Sequence, residues 1–288
     1  MSEKTNQEFN VHPATVKGFG DEWNRFDQSQ LPEIEHKEIF EKYFSIFPWH
    51  LLPENSKGVD VGCGSGRWAK LVAPKVGRLY CVDPGIALDV ARKNLSEFKN
   101  CEFHKASVDS IPLDDRSLDF GYSLGVLQHI PDTQAGIKAC VNKLKPGAPF
   151  LIYLYYNFEN RSRWFQALWR VSDMVRMVIS RFPHSLRYIS SQIISILIYF
   201  PLARFSRVME MMDFNVSSVP LSAYRNRSFY TMRTDALDRF GTRLEKRFSR
   251  DQIQFMMEQS GLDGIVFSEQ EPFWCAVGYK CSKEKVNN

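Results

Sequence analysis

Three glycines at every second position are the clearest candidates for ligand binding in this sequence. Gly62, Gly64 and Gly66 follow an apolar segment over residues 58–61 and precede a helical pattern that begins at Arg67. Glycine lets a chain turn tightly and lets a ligand approach bare backbone, while the start of a helix offers unpaired N–H groups. The spacing therefore predicts a nucleotide-binding loop, and the alternative is a tight strand-to-helix turn without a ligand.

Two acidic residues narrow the class of ligand. Asp60 directly precedes the loop, where a negative charge would repel a pyrophosphate and suit a cationic amino-acid group. Arg67 stands where a dinucleotide-binding loop carries a small residue, so the pattern departs from that fingerprint. Asp83 ends the second apolar segment, where a carboxylate can accept hydrogen bonds from both ribose hydroxyls. The alternative is that Asp83 caps the next helix, with Pro84 as its first residue.

These residues lie in a pattern of alternating strands and helices, which is typical of a parallel sheet covered on both faces. Strands are predicted over residues 58–61, 78–82, 102–105, 118–123, 149–155, 265–267 and 273–279, and helices over 67–76, 86–98, 133–144 and 249–260. The last two strands form a terminal β-hairpin. The predicted fold class is therefore α/β: a Rossmann-like, mostly parallel seven-stranded sheet with a helical insertion after strand five.

The pattern breaks at residue 156 and resumes at 249, which divides the chain into four parts. Residues 1–50 are predicted to form an N-terminal helical cap, with a helix over 34–47. Residues 51–156 form the cofactor-binding α/β core. Residues 157–248 form a helical lid that binds substrate, and residues 249–288 complete the core.

Four segments in order resemble class I S-adenosylmethionine-dependent methyltransferases, and small-molecule methyltransferases in particular. They read VDVGCGSG, YCVDPGIALDVARKNL, SVDSIPLDDRSLDFGYSLGVLQHIPD and LKPGAPFLIY, and the resemblance covers about residues 55–155. It implies S-adenosylmethionine as the cofactor. The cofactor-binding residues that it implies are Asp60, Gly62, Cys63, Gly64, Gly66, Asp83, Pro84, Ser107, Val108, Asp109, Ser123 and Leu124.

Within that set, the resemblance places the loop around the methionine part and Asp83 at the ribose. Ser107 or Asp109 contacts the adenine, because the acid that many family members use stands two positions later here. Ser123 and Leu124 pass beneath the activated methyl group.

His129 is the one histidine that this alignment brings near the cofactor. An imidazole titrates near neutrality, so His129 is a candidate general base for an attacking hydroxyl. Alternatively it packs beneath the cofactor or caps the next helix, because alignment of the reactants can supply much of the rate of methyl transfer.

Positive charge is concentrated in the insertion. Residues 161–250 contain sixteen Arg and Lys against six acids, a balance of +10, whereas the chain as a whole carries +4 and the remainder therefore −6. The guanidinium fork suits phosphate and carboxylate groups, so an anionic acceptor is predicted. The alternative is a solvated arginine-rich surface. The substrate candidates are Tyr153, Tyr155, Tyr224, Arg225, Arg227 and Tyr230, with Tyr156, Arg161 and Arg163 beside them.

Residues 186–212 have the pattern of two apolar helices interrupted at Pro201. They form either the core of the insertion, a homodimer contact, or an interfacial helix that admits a lipid-linked substrate. The longest apolar stretch, 193–205, is shorter than the ~20 residues that a spanning helix needs.

Composition excludes disordered, collagen-like and coiled-coil chains, because 44% of residues are hydrophobic and 24% charged. The six cysteines are scattered without a CxxC pair, so reduced thiols and no metal site are expected. The polar N-terminal segment is unlike a signal peptide, and a cytoplasmic location is expected.

The predicted function is methyl transfer from S-adenosylmethionine to a hydroxyl or amine of a small anionic metabolite in a biosynthetic reaction. The alternatives are methylation of a membrane lipid or quinone, RNA methylation, and a non-catalytic protein that binds the cofactor. A nucleic-acid partner is disfavoured, because residues 123–126 lack the Asn/Asp-Pro-Pro-aromatic motif of amino-group nucleic-acid methyltransferases.

Overall fold

A computed structural model describes residues 10–282 and contains one sheet of seven strands. The strands are β1 (Lys57–Val61), β2 (Arg78–Val82), β3 (Cys101–His104), β4 (Phe120–Leu124), β5 (Pro149–Tyr153), β6 (Leu262–Phe267) and β7 (Cys275–Lys280). Their order across the sheet is β3-β2-β1-β4-β5-β7-β6. The first five are parallel to one another, and β7 is antiparallel to both β5 and β6. The predicted seven-stranded, mostly parallel sheet with a terminal hairpin is confirmed.

Helices surround this sheet and fill the insertion after the fifth strand. They are α1 (Pro13–Arg25), α2 (Glu33–Tyr43), α3 (Ala69–Val72), α4 (Ala87–Asn94), α5 (Thr133–Lys143), α6 (Arg163–Ile179), α7 (His184–Ile194), α8 (Phe200–Met211), α9 (Phe229–Gly241) and α10 (Arg250–Gln259). The insertion of α6 to α9 between β5 and α10 is as predicted. Several helices are shorter than their periodicity indicates, and α3 is continued by a 3₁₀ turn over Ala73–Lys75. The four-part division stays a prediction, and its outermost residues, 1–9 and 283–288, lie outside the described residues.

The two faces of the sheet are both buried, because successive residues of a strand point to opposite sides. In β5, Phe150 and Ile152 pack on the side of α5 and α10, whereas Leu151 packs on the side of α2, α3 and α4. Burial on both faces accounts for the unbroken apolar sequence of this strand.

The segment around Pro201 differs from the prediction. α7 and α8 are joined by a π-helical turn over Ser195–Tyr199, so that one helix runs from His184 to Met211. Proline lacks an N–H and its ring crowds the preceding turn of an α-helix. The wider π turn accommodates the ring, so the predicted interruption is wrong. By length and composition this helix of 28 residues would suffice to cross a membrane, a test that a buried core helix also passes.

The insertion has its own apolar core and is joined to the sheet at its two ends. Ile179, Tyr199 and Met232 are buried against one another in this second core. Tyr156 and Phe248 form a parallel bridge where the chain leaves and re-enters the α/β pattern. α1 packs against both α4 and α9, and thus links the sheet to the insertion.

Candidate functional site

A cavity of about 780 Å³ lies where the carboxyl ends of the parallel strands meet the insertion and α1. Its walls include Val61, Val82, Leu124 and Tyr153, which end β1, β2, β4 and β5. The connections run in opposite directions on either side of β1, and ligands of open α/β sheets bind at such a point. No cluster of His, Cys, Asp and Glu that could hold a metal is found in the described part of the chain.

The glycine loop lies on the wall of this cavity with bare backbone. Gly62 and Gly64 have φ angles of +77° and +53°, a conformation that side chains rarely adopt. A Cβ on Gly62 would lie 2.3 Å from Val126 Cγ1, and one on Gly64 would lie 3.0 Å from the indole nitrogen of Trp23. Both positions, together with Cys63, line the cavity. The loop has room for a ligand only because these glycines carry no side chains.

Gly66 serves the packing of the loop rather than the cavity wall. Its φ is +78°, and a Cβ would lie 2.9 Å from Leu95 Cδ1 at the end of α4. Gly66 is absent from the lining residues. Its predicted cofactor contact stays a prediction.

Asp83 joins the loop to the end of β2. Its Oδ2 accepts the N–H of Gly64 at 3.1 Å, and its Oδ1 accepts the N–H of Gly85 at 2.7 Å. α4 begins only at Ala87, so Asp83 holds the preceding turn and is not the helix cap. Burial raises the pKa of Asp83, and the two N–H donors oppose that shift. Asp83 and Pro84 both line the cavity, with carboxylate lone pairs left for a ligand.

Asp60 and Ser123 lie beneath the loop and do not line the cavity. The Tyr122 hydroxyl donates to Asp60 Oδ2 at 3.1 Å, and the Ser123 hydroxyl donates to the Val61 carbonyl at 2.9 Å. Burial raises the pKa of Asp60 to about 8, so that its carboxyl holds a proton at neutral pH. It therefore presents no full negative charge to an amino-acid group, and its cofactor role stays a prediction.

In the segment that follows β3, Ser107 and Val108 line the cavity whereas Asp109 does not. Asp109 accepts the Ser107 hydroxyl on Oδ1 and the backbone N–H of Asn10 on Oδ2 at 2.8 Å. Asp109 thus fixes Ser107 and the start of the described chain, and Ser107 is the better placed of the two adenine candidates.

The N-terminal segment supplies further lining residues of the cavity. Asn10, His12, Phe19, Glu22 and Trp23 all face the cavity. Aromatic and polar residues alternate over 19–26, a pattern that predicts either a segment closing over the cofactor or a surface strap whose aromatic residues pack on the domain. α1 therefore covers the glycine-loop side of the cavity.

His129 lies on the cavity wall with its ring orientation fixed. Its Nδ1–H donates to the Leu244 carbonyl at 2.7 Å, which leaves Nε2 as an acceptor 3.2 Å from the Gln128 amide nitrogen. The ring packs edge-on against Phe19 and Tyr155, with centroids 5.1 and 5.3 Å away. Burial lowers the pKa of His129, so the imidazole is neutral at pH 7. A neutral imidazole held by a carbonyl has the form that a general base needs.

Three carboxyl groups face the same cavity from α1 and α9. Asp238 accepts the Tyr155 hydroxyl at 2.7 Å, and Asp235 accepts the Tyr224 hydroxyl at 2.9 Å. Burial raises the pKa of Asp235 to about 6. Glu22 is buried, its Oε1 has no hydrogen-bond partner within residues 10–282, and its pKa is raised well above the usual range by burial and by the two aspartates.

The substrate candidates Tyr153, Tyr155, Tyr224, Arg225 and Arg227 all line the cavity. Tyr230 does not, and its hydroxyl accepts the backbone N–H of Gln28. Tyr156 and Arg161 are further lining residues, whereas Arg163 lies outside.

Most lining arginines are already paired with carboxylates of this chain. Arg225 binds Glu210 at 2.8 Å, and Arg227 binds Glu38 at 3.1 Å. In the described residues, Arg67 and Lys42 are the lining cations without a carboxylate partner, and the Arg67 guanidinium lies 4.2 Å above the Trp68 ring.

Comparison with known proteins gives one domain match. Residues 59–152 match the family model described as a methyltransferase domain. Over 101 residues, 34% of this chain, the sequence is 32% identical to phosphoethanolamine N-methyltransferase 2 of Caenorhabditis elegans, and the match spans 23% of that protein. Over 164 residues, 53% of this chain, it is 26% identical to a ubiquinone biosynthesis O-methyltransferase of Vibrio atlanticus and spans 65% of that protein. The chain thus spans less than two thirds of either relative.

A solved candidate methyltransferase from Bacillus halodurans has the same fold. The alignment covers 80% of this chain and 72% of that one, with a TM-score of 0.50 and 14% sequence identity. At this identity the likeness concerns the fold alone.

Proposed function

We propose that this protein transfers the methyl group of S-adenosylmethionine to a hydroxyl or amine of a small molecule, a proposal supported by the match of residues 59–152 to a methyltransferase domain. The observation that carries the proposal is one continuous cavity. It joins the glycine loop and Asp83 on the sheet side to His129 and the insertion on the other.

The residues of the cavity fit the cofactor. Gly62 and Gly64 offer bare backbone that a Cβ would close, and Asp83 offers a carboxylate at the end of β2 for two ribose hydroxyls. Ser107 and Val108 line the position for the adenine. When bound, S-adenosylmethionine supplies an electrophilic methyl group on a sulfonium for a single in-line displacement.

His129 is proposed as the group that removes the acceptor proton. Its Nδ1–H is held by the Leu244 carbonyl, so the proton is taken up at Nε2 once the acceptor has displaced the Gln128 amide that donates to Nε2. The charged imidazolium that results is stabilised by Asp238, which lies close enough to raise the His129 pKa against the effect of burial. Tyr155 packs on the ring and donates to the same aspartate, and thus keeps ring and carboxylate in place.

The polar end of the acceptor is proposed to be anionic and to lie near Arg67. The ion pairs of Arg225 and Arg227 occupy their guanidinium groups, whereas Arg67 is free of a carboxylate partner within the described residues. A phosphate or carboxylate at Arg67 would also lie on the glycine-loop side of the cavity, near the methyl donor.

Methylation of a membrane lipid or quinone is the second candidate function, and one observation favours it. The part of the cavity between α6 and the helix 184–211 is lined by the apolar side chains of Phe165, Leu168, Ile194, Ile198 and Leu202. A small, wholly polar metabolite would leave these side chains without a partner, whereas an acceptor with an apolar tail would cover them.

Calorimetry with S-adenosylhomocysteine tests the cofactor site. We expect micromolar binding by the wild-type protein and at least tenfold weaker binding by Asp83→Ala, because a charge-assisted hydrogen bond contributes roughly 1.5–3 kcal/mol. Asp89→Ala is the matched control, because Asp89 is an exposed aspartate on α4 paired only with Arg92. Absence of heat from a folded wild-type sample at millimolar ligand would refute the proposed function.

A radiolabel assay tests transfer itself. Labelled methyl from S-adenosylmethionine should appear in small molecules or lipids extracted from cells, and His129→Gln should abolish the product while S-adenosylhomocysteine still binds. Ligand binding without any labelled product would instead favour a non-catalytic cofactor-binding protein.

A further inference from the structure

Two helices of the insertion carry apolar side chains on their outer faces. On α6 these residues recur at helical spacing and are between 44% and 58% exposed: Trp164, Leu168, Val171, Val175 and Val178. On the helix 184–211 the same pattern continues through Leu186, Ile189, Ile193, Ile196, Leu197 and Phe200. We call these residues the apolar face.

The apolar face is not the core of the insertion. The core is formed by the opposite sides of the same helices, through Ile179, Tyr199 and Ala203, which pack towards α9. A soluble monomer rarely exposes so many large aliphatic side chains together, and such a surface indicates an interaction site.

The charges beside the apolar face indicate which partner covers it. Arg163, Arg170, Arg181 and Arg207 are exposed, and none has a carboxylate partner within residues 10–282. The only carboxylates on these two helices, Asp173 and Glu210, are bound to Arg176 and Arg225. On the two helices themselves the unpaired charge is therefore wholly positive, and the exposed Asp213 just beyond them is one acid against the four arginines. Anionic lipid headgroups complement it, whereas a second copy of this chain would set arginine against arginine across a two-fold axis.

The cavity reaches the two helices that carry the apolar face. Leu168 on α6 and Ile198 on the helix 184–211 each line the cavity and are each about half-exposed, at 48% and 47%. An apolar chain entering at this point would lead into the cavity that contains His129.

The helix 184–211 is suited to lie on a membrane rather than to cross it. Arg187 is buried and donates to the Gly241 carbonyl at 3.1 Å, and Ser191, Ser195 and Ser206 are buried on the same inner side. A spanning helix would expose this polar, protein-bound side to lipid or leave its contacts with α9.

We propose that the apolar face docks onto the surface of an anionic bilayer and that an amphiphilic acceptor enters the cavity from this bilayer between α6 and the helix 184–211. The statement about the acceptor rests on the proposed methyl transfer, whereas the docking does not. The side chains of the face would enter the boundary between headgroups and acyl chains, and the four arginines would contact the headgroups.

Vesicle flotation of the full chain tests the docking. The probes are vesicles of equal parts phosphatidylglycerol and phosphatidylcholine, and vesicles of phosphatidylcholine alone. The triple variant Ile189→Gln/Ile193→Gln/Leu197→Gln should lower the partition coefficient on the anionic vesicles at least tenfold. These three residues do not line the cavity. The matched control Ile34→Gln/Phe255→Gln/Val266→Gln replaces three apolar residues that are equally exposed elsewhere, and should float as the wild type does.

A second variant tests the electrostatic part without touching the apolar residues. Arg163→Gln/Arg170→Gln/Arg207→Gln should weaken binding to the anionic vesicles by about fivefold per arginine, and should have little effect on phosphatidylcholine vesicles.

Sedimentation and calorimetry of the same proteins separate the outcomes. A triple variant that floats as well as the wild type overturns the docking. The docking is also overturned if the wild-type protein does not float but forms a dimer and the triple variant stays monomeric. The apolar face would then bind a second copy of the chain. A wild-type protein that floats but does not bind S-adenosylhomocysteine would refute the proposed function and leave the docking supported.

Discussion

At the scale of single residues, Asp60 shows how one position in a motif can be structural. Val59 and Val61 face one side of the sheet, so Asp60 between them faces the other, where Tyr122 donates to it. The alternation of a strand was thus a signal in the sequence that Asp60 points away from the loop. Because Asp60 is buried and its pKa is raised, its ionisation changes the stability of the fold. This change can be measured without a ligand.

Asp60→Asn should remove a pH dependence of stability. The folded protein holds the Asp60 proton up to about pH 8, whereas an unfolded aspartate loses it near 3.9. Stability from this group is therefore present at low pH and is lost as the pH rises towards 8, by up to about 1.4 kcal/mol per pH unit. Urea unfolding between pH 5 and 7 should show this loss in the wild type and in the exposed control Asp114→Asn, but not in Asp60→Asn. Equal slopes in all three proteins would contradict a raised Asp60 pKa.

The pKa of His129 should lie below that of an unperturbed histidine. Burial lowers its pKa, so the folded state disfavours the imidazolium. Stability from this group is present at pH 7 and is lost as the pH falls below ~6.5 towards the folded pKa. Ring-proton NMR, assigned by the signal missing in His129→Gln, should give a midpoint below the ~6.5 of an unperturbed imidazole. A midpoint above 7 would mean that the ring is charged at neutral pH and unsuited to act as a base.

At the scale of elements, α1 and the glycine loop should act as one unit. Ala at position 64 would adopt a strained left-handed φ and place its Cβ 3.0 Å from the Trp23 indole. Gly64→Ala and Trp23→Ala should each weaken S-adenosylhomocysteine binding about tenfold or more, but the double variant should be less impaired than the product of the two effects. Removal of the indole makes room for the new methyl group, and such coupling between contacting residues is typically ~0.5–3 kcal/mol.

Gly147→Ala is the matched control for backbone strain in that experiment. Gly147 has a φ of +79°, but nothing lies within 4 Å of its Cβ position, so alanine there has strain without a steric contact. It should lower the melting temperature and leave ligand binding unchanged. If the effects of Gly64→Ala and Trp23→Ala simply multiply, α1 does not cover the loop in the way that the structure shows.

The sheet could be predicted from the sequence, whereas the continuous helix through Pro201 and the contacts of the N-terminal segment could not. Alternating strands and helices predicted the sheet, because each short apolar segment fits only a buried parallel strand. The helix break predicted at Pro201 was wrong, because a π turn accommodates the proline and composition does not reveal such a turn. The lining role of Trp23 depends on the docking of α1 against α4, and that of Asn10 on its hydrogen bonds to Asp109 and Asp132. Both are contacts between distant segments that no local pattern encodes.

At the scale of the whole molecule, the positive charge of the insertion is divided between arginines in ion pairs and arginines without a carboxylate partner among the described residues. The insertion carries an excess of +10 along the sequence, but many of its arginines are paired with carboxylates. Some of these carboxylates lie within the insertion, such as Glu210 and Glu245, and others in distant parts of the chain, such as Glu38 and Glu271. The sequence predicted the excess and could not predict the pairing. The arginines left unpaired on α6 and the helix 184–211 lie beside the apolar face rather than in the cavity. The basic character of the insertion therefore bears on its surroundings as well as on its acceptor.

The insertion should also unfold separately from the sheet. Met232 is fully buried in the core of the insertion, and this core shares no residue with the two cores that flank the sheet. Met232→Ala should destabilise its surroundings by about 2–5 kcal/mol through the cavity it leaves. Hydrogen exchange should then rise in α7, α8 and α9 while the amides of β1, β4 and β5 stay protected. Ile152→Ala in β5 is the matched control, and it should raise exchange in both parts because the insertion is anchored at the ends of the sheet. If Met232→Ala raised exchange equally in β1 and β4, sheet and insertion would form one cooperative unit, and the lid could not open without unfolding the cofactor side.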